Sequence, residues 1–286
     1  MLGLGALGQI SGCQSSSLKP TGNTDVSRWA FLADTHIPAQ DDHSTPPNGH
    51  FYYDPHGNLR QAVKQIQSRD ADGMVICGDL ARLQGRLEDY QSIKPLLAPL
   101  ATLPILPAMG NHDDRGNYFN VFGKSKYQQK VPGKYVTVLE TPVVRVIGLD
   151  SLFIVNKASG LLGKAQRNWL TGYLKRCDNR PTILCLHHTL GDDDGDLLDV
   201  PRLFNLIRPH RKVKAIIYGH SHVYGFSQRD GIHLINLPAL GYSFNQAQPV
   251  GWVQAHFHSR GGDFVLHVIS GPKEKDRQTT RLKWRS

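Results

Sequence analysis

A chain of 286 residues that is 40% hydrophobic is long enough to bury about three quarters of its unfolded surface, in one large domain or at most two. Its formal net charge of +9 favours anionic partners: phosphate esters, nucleic acid or an anionic membrane surface. Four cysteines without regular spacing exclude a disulfide scaffold and a zinc ribbon, and Cys77 and Cys185, inside apolar runs, read as buried thiols.

The first ten residues are apolar and glycine-rich but too short to span a bilayer, and Ile10-Ser11-Gly12-Cys13 leads into a polar run. This resembles the end of a bacterial lipoprotein signal peptide, with Cys13 as the lipidated residue. No Lys or Arg precedes Lys19, so the reading places the true start upstream of Met1. Residues 1–13 are then a signal segment and 14–28 a tether. The expected location is the cell envelope, outside the cytoplasmic membrane, with a soluble cytoplasmic enzyme as the alternative.

From Trp29 the pattern alternates between strand and helix. The run 28–33 reads as a buried strand ending in Asp34-Thr35-His36. An aromatic loop at 50–56 reads as a hydrophobic clasp that could wall a pocket. Asn58 can cap a helix with Leu59, Val63 and Ile66 on one face, and the strand 74–77 ends in Gly78-Asp79. A helix at 87–97, interrupted by Pro95, precedes the apolar run 103–109, which ends in Gly110-Asn111-His112-Asp113. Segments 134–139 and 143–149 read as an antiparallel pair. A helix at 164–175 feeds the strand 182–186, which ends in His187-His188. Another at 199–208 feeds 214–218, which ends in Gly219-His220-Ser221-His222. Strands 252–258 and 264–269 follow, with a turn placed at Gly261-Gly262. Residues 271–286 carry six basic side chains against two acidic ones and read as a solvated basic tail.

Five strand-like runs therefore end in Asp34/His36, Asp79, Asn111/His112, His187 and His220/His222, groups up to 188 positions apart. Parallel strands present their carboxyl ends on one side of a sheet, so these groups can converge. Carboxylate, imidazole and amide oxygen are the ligand types for two first-row metal ions, divalent or trivalent, such as Mn, Fe or Zn. A glycine before Asp79, Asn111 and His220 permits the close backbone packing that such crowding needs. The acidic run Asp192-Asp193-Asp194-Gly195-Asp196 lacks the closing Glu of an EF-hand and reads as a solvated loop near the site mouth.

In this order the blocks resemble the calcineurin-like metallophosphoesterase family, over residues 29–224 and into the strands beyond. The resemblance implies an α/β fold, a four-layer sandwich of two mixed β-sheets flanked by helices, spanning 29–270. It also implies that Asp34, His36 and His222 hold one metal, that Asn111, His187 and His220 hold the other, and that Asp79 bridges. His112 would be the non-ligand acid beside the leaving group, with Asp113 orienting its ring; Arg115 and His188 would face substrate. Local residues separate this chain from the family's protein phosphatases, which carry Asp-Arg-Gly after their Gly-Asp block where this one has Leu80-Ala81-Arg82 after Gly78-Asp79, and from purple acid phosphatases, whose metal-binding Tyr is replaced by Arg82.

The branch it resembles most comprises the class III cyclic-nucleotide and glycerophosphodiester phosphodiesterases. That resemblance runs through residues 110–115, Gly148-Leu149-Asp150-Ser151, and Gln166 with Trp169-Leu170. The branch has His-His-Pro where this chain has His187-His188-Thr189, so the substrate-side loop is expected to differ. The implied activity is dinuclear-metal-dependent hydrolysis of a small phosphodiester. A monoesterase, a nuclease betrayed by steep salt dependence and a non-catalytic platform are the rivals; nucleic acid is not the expected partner.

Overall fold

The computed structural model describes residues 25–40 and 49–286; Cys13, and with it the lipoprotein reading, lies outside the described residues. Among them, the first strands are β1 (Ser27–Leu32), β2 (Gly73–Ile76), β3 (Ile105–Pro107), β4 (Gln128–Val131), β5 (Lys134–Glu140) and β6 (Arg145–Gly148). The rest are β7 (Thr182–Cys185), β8 (Val213–Tyr218), β9 (Gly225–Arg229), β10 (Ile232–Asn236), β11 (Val250–His258), β12 (Gly261–Ser270) and β13 (Thr279–Lys283). The α-helices are α1 (Pro55–Gln67), α2 (Leu87–Leu97), α3 (Arg115–Phe122), α4 (Gly163–Arg176) and α5 (Val200–Ile207).

One sheet has the order β13-β12-β11-β1-β2-β3 and the other β4-β5-β6-β7-β8-β10-β9. Side chains alternate across each strand, which divides the core into layers. Trp29 and Phe31 of β1, Val75 of β2, Ile183 of β7 and Ile217 of β8 meet between the sheets. Their neighbours Leu32 and Ile76 turn outward onto Leu59 of α1, Ile93 of α2 and Tyr118 of α3. On the far side, Leu184 and Ile216 turn onto Leu170 of α4 and Leu203 and Phe204 of α5. The result is the expected α/β sandwich of two mixed sheets flanked by helices.

Each sheet has a parallel part: β1 with β2 and β2 with β3 along one side of the first, β6 with β7, β7 with β8 and β8 with β10 in the middle of the second. The carboxyl ends of β1, β2, β3, β7 and β8 therefore open on one edge of the sandwich, where crevices form in such sheets.

Local chemistry departs from the sequence reading at four points. Asp54, not Asn58, caps α1: its carboxylate accepts from the Gly57 amide at 3.0 Å, while Asn58 is buried in the helix and donates to the carbonyls of Tyr52 and Gly241. Ser27, assigned to the tether, already pairs with Phe257 of β11. The β11–β12 hairpin turns at Ser259-Arg260, and Gly261-Gly262 open β12. The basic tail is not solvated throughout. Residues 279–283 form β13 against β12, Trp284 packs on the inter-sheet core, and the Arg285 guanidinium donates to the carbonyls of Val213, Asp230, Ile207 and His210. Arg281 and Lys283 sit on this exposed edge strand, where basic side chains discourage pairing with another chain. Among the described residues no helix is long and apolar enough to cross a membrane.

Candidate metal centre

The five strand ends deliver their groups to one cluster. Asp34, His36 and His222 form a triad whose ligand atoms all lie within 4.8 Å of one another, as do Asp79, His187 and His220. A third such triad, His36, Asp79 and His112, joins them, which puts Asp79 between the two halves. Asn111 completes the second half, its Oδ1 lying 3.2 Å from His187 Nε2. Asp34, His36, Asp79, His220 and His222 all adopt left-handed backbone conformations, φ between 46° and 74°. That strain is of the kind sustained at functional sites. A Cβ on Gly110 would lie 2.2 Å from Asp79 Oδ1, and one on Gly219 would lie 2.4 Å from Asp34 Oδ2, so both positions require glycine.

Each of the four ligand imidazoles turns its outer nitrogen to a backbone carbonyl. His36 Nδ1 lies 3.1 Å from the Arg82 oxygen, His187 Nδ1 2.8 Å from that of Cys77, His220 Nε2 3.1 Å from that of Gly195, and His222 Nδ1 3.0 Å from that of Tyr242. A carbonyl can only accept, so the outer nitrogen carries the hydrogen and the inner one keeps its lone pair. The inner atoms crowd together: His36 Nε2 and His222 Nε2 at 3.2 Å, His220 Nδ1 and His187 Nε2 at 3.1 Å, His187 Nε2 and Asp79 Oδ2 at 3.2 Å. Facing lone pairs at these distances repel unless protons or cations lie between them. The donor set therefore fits two first-row metal ions.

Electrostatics agree. Burial pushes the His36 imidazole down to about 3 and that of His220 to about 4, keeping both neutral as ligands must be. Burial also opposes charge on Asp34 and Asp79, yet His222 and His187 draw Asp34 below the ordinary value, and His187, His112 and His36 draw Asp79 well below it. Despite burial, Asp79 and Asp34 raise His187 to about 9. The two buried carboxylates thus favour positive charge at this place, which bound cations would supply.

Three of the expected site residues do other work. Asp113 does not orient His112. Its Oδ1 accepts from the Leu80 and Ala81 amides and the Tyr90 hydroxyl at 3.1, 3.3 and 3.0 Å, and its Oδ2 from the Gly110 amide at 3.0 Å. It clamps the β2 and β3 loops together; the His112 ring is instead held by the Leu83 carbonyl, 2.7 Å from Nδ1. Arg115 does not reach toward substrate but spends its fork on Asp150, at 2.6 and 2.8 Å. Asp150 also accepts the Tyr135 amide, and its backbone is gripped on both sides by Gln166, so Arg115, Asp150 and Gln166, three of the residues behind the branch resemblance, build a structural block. His188 is fully buried beneath the rings of His187 and His220, its Nδ1 2.7 Å from Ser151 Oγ.

Thr189, the departure from the branch pattern, hydrogen-bonds Asp196 through its hydroxyl. That tie fixes the acidic loop so that the Gly195 carbonyl reaches His220. The loop is part of the site and not only solvated at its mouth. The orienting carbonyls carry no side-chain signal, and Tyr242 and Phe244, which line the His222 side, fall in a stretch without periodicity; sequence reasoning missed all of them.

This constellation on a two-sheet sandwich defines a metal-dependent phosphoesterase. A family model described as calcineurin-like phosphoesterase matches residues 27–224, and the chain belongs to that family. It is 28% identical over 203 residues, 69% of this chain and 82% of the relative, to a protein of Vesicomyosocius okutanii named probable cyclic nucleotide phosphodiesterase. It is 26% identical over 227 residues, 71% of this chain and 77% of the relative, to the 3',5'-cyclic adenosine monophosphate phosphodiesterase CpdA of Haemophilus influenzae. The fold matches a dimetal phosphatase from Danio rerio with a TM-score of 0.72 at 15% identity, covering 91% of this chain and 100% of that one.

Proposed function

We propose that the chain hydrolyses small phosphodiesters of the cyclic-nucleotide or glycerophosphodiester type, using a pair of Mn, Fe or Zn ions. The observation that carries this is the complete inward-facing donor set, with each imidazole tautomer fixed by a carbonyl. The names of the relatives support the diester class. Asp34, His36 and His222 would hold one ion, Asn111, His187 and His220 the other, and Asp79 both. Bound there, the pair supplies charge neutralisation at the phosphoryl group and a nucleophile at neutral pH.

The chain's own residues do the rest. Leu83 holds His112 by Nδ1, and the free Nε2 faces the cluster 3.9 Å from Asp79 Oδ2. From there the imidazolium gives its Nε2 proton to the departing oxygen, which would otherwise leave as a poor alkoxide leaving group. The test is a screen of metal-reconstituted protein against cyclic nucleotides, glycerophosphodiesters, monoesters and single-stranded DNA. Turnover highest on small diesters is expected; turnover confined to monoesters or DNA would overturn the substrate class.

Place belongs to the proposal too. Lipidation at Cys13 would set the site outside the cytoplasmic membrane, facing nutrient or envelope-derived diesters. Fractionated cells expressing the full reading frame should show wild type in the membrane fraction and Cys13→Ala lost from it or unprocessed. Wild type wholly in the cytosol would refute that placement.

A further inference from the structure

Phe244 is 53% exposed, the highest value among the large apolar side chains of the described residues. Its ring is nonetheless fixed. It stacks on His222, centroids 4.6 Å apart and planes 29° apart, and is braced by Tyr242 at 5.4 Å, edge-on at 83°, and by His50 at 5.3 Å. The backbone beneath is equally fixed, because Ser243 and Phe51 exchange amide–carbonyl bonds of 2.7 and 2.9 Å, and Gly241 donates to the Asp34 carbonyl at 2.8 Å. Val223, 43% exposed, extends the apolar surface next to His222 in sequence. A rigid aromatic ring that rests on a phosphate-side metal ligand and leaves much of its surface in water is suited to stack a planar group joined to that phosphate, at little ordering cost.

We infer that Phe244 is a specificity-determining residue that stacks the nucleobase of a nucleotide whose phosphate occupies the metal centre, an inference that rests on the nucleotide branch of the proposed function. Stacking uses the π-face that every base has, so adenine and guanine are accepted alike, while diesters without a base forgo the contact.

The test uses the full chain loaded with Mn²⁺ and calorimetric binding of AMP and of ribose 5-phosphate, which share phosphate and sugar and differ in the base. Wild type should bind AMP tighter by about ten-fold, within the worth of one base–aromatic stack. Phe244→Ala should erase that preference and leave ribose 5-phosphate affinity within about two-fold, and Phe244→Trp should restore it. Equal weakening of both ligands would mean that Phe244 only steadies His222, and an unchanged preference in Phe244→Ala would place the base elsewhere; either overturns the inference. Failure of wild type to cleave cyclic AMP, with the base preference intact, would retire the diesterase reading and not the stacking at Phe244. Cleavage of cyclic AMP with equal affinity for the two ligands would retire the stacking at Phe244 alone.

Discussion

Adding one methyl group at Gly110 tests how tightly the bridging position is held. A Cβ there would lie 2.2 Å from Asp79 Oδ1, 2.6 Å from the Asp79 amide nitrogen and 2.8 Å from His187 Cδ2, where real contacts do not fall below 3.0 Å. Relief requires Asp79, or the loop carrying Asn111 and His112, to retreat by about 0.8 Å. Displacements near 1 Å at a reacting centre cost on the order of 10²-fold in rate, whereas overpacking costs about 1–3 kcal/mol of stability. Gly110→Ala should therefore stay folded, lose metal and fall about 100-fold in kcat/KM on bis(p-nitrophenyl) phosphate. Gly225→Ala, where a Cβ would meet nothing within 4 Å, is the control and should match wild type. Metal content by mass spectrometry and initial rates read the outcome. A Gly110→Ala enzyme with full metal and an undiminished rate would refute the argument that Asp79 is held by that crowding.

Further outcomes follow from the same structure. His112→Ala should lose far more turnover on alkyl diesters than on aryl diesters, because only a poor leaving group needs the proton, and Asp113→Asn, which touches the clamp and not the ring, should lower both alike; the reverse pattern in initial rates would restore Asp113 as the orienting group. Arg145, fully buried, donates to Glu140 at 2.5 Å and Asp178 at 2.9 Å far from the site. Arg145→Ala leaves Glu140 only the Tyr173 hydroxyl and the Arg180 guanidinium, and should cost about 1–3 kcal/mol in urea unfolding with kcat per folded molecule unchanged. Burial, with Arg69 and Arg277 nearby, pushes His267 down to about 4 from 6.5. Between those values the unfolded chain binds the extra proton, so stability falls as pH drops from 6.5 toward 4. His267→Gln should flatten that fall, and equal Tm losses in both proteins between pH 7 and pH 5 would remove His267 as its cause.

The metal ligands were legible in sequence because each follows its own buried strand, and parallel strands make distant ends neighbours. Their backbone strain and their orienting carbonyls were not, since neither depends on a residue type. Asp113, Arg115 and His188 were misassigned for one reason: a polar residue beside a site looks the same in sequence whether it meets substrate or, as here, the Gly110 amide, Asp150 or Ser151. The basic run hid β13 because an exposed edge strand buries too little to leave an apolar stripe, and α3 went unread because Arg115–Phe122 buries Tyr118 alone.

The central claim is that Asp79 unites two metal-binding halves, and counting bound metal in wild type and Asp79→Ala after reconstitution with Mn²⁺ tests it most directly. Wild type should hold two ions per chain, as the two convergent triads imply, and the variant less than half of the wild-type amount with diester hydrolysis lost. Full occupancy in Asp79→Ala, or undiminished hydrolysis by wild type stripped of metal, would contradict the account.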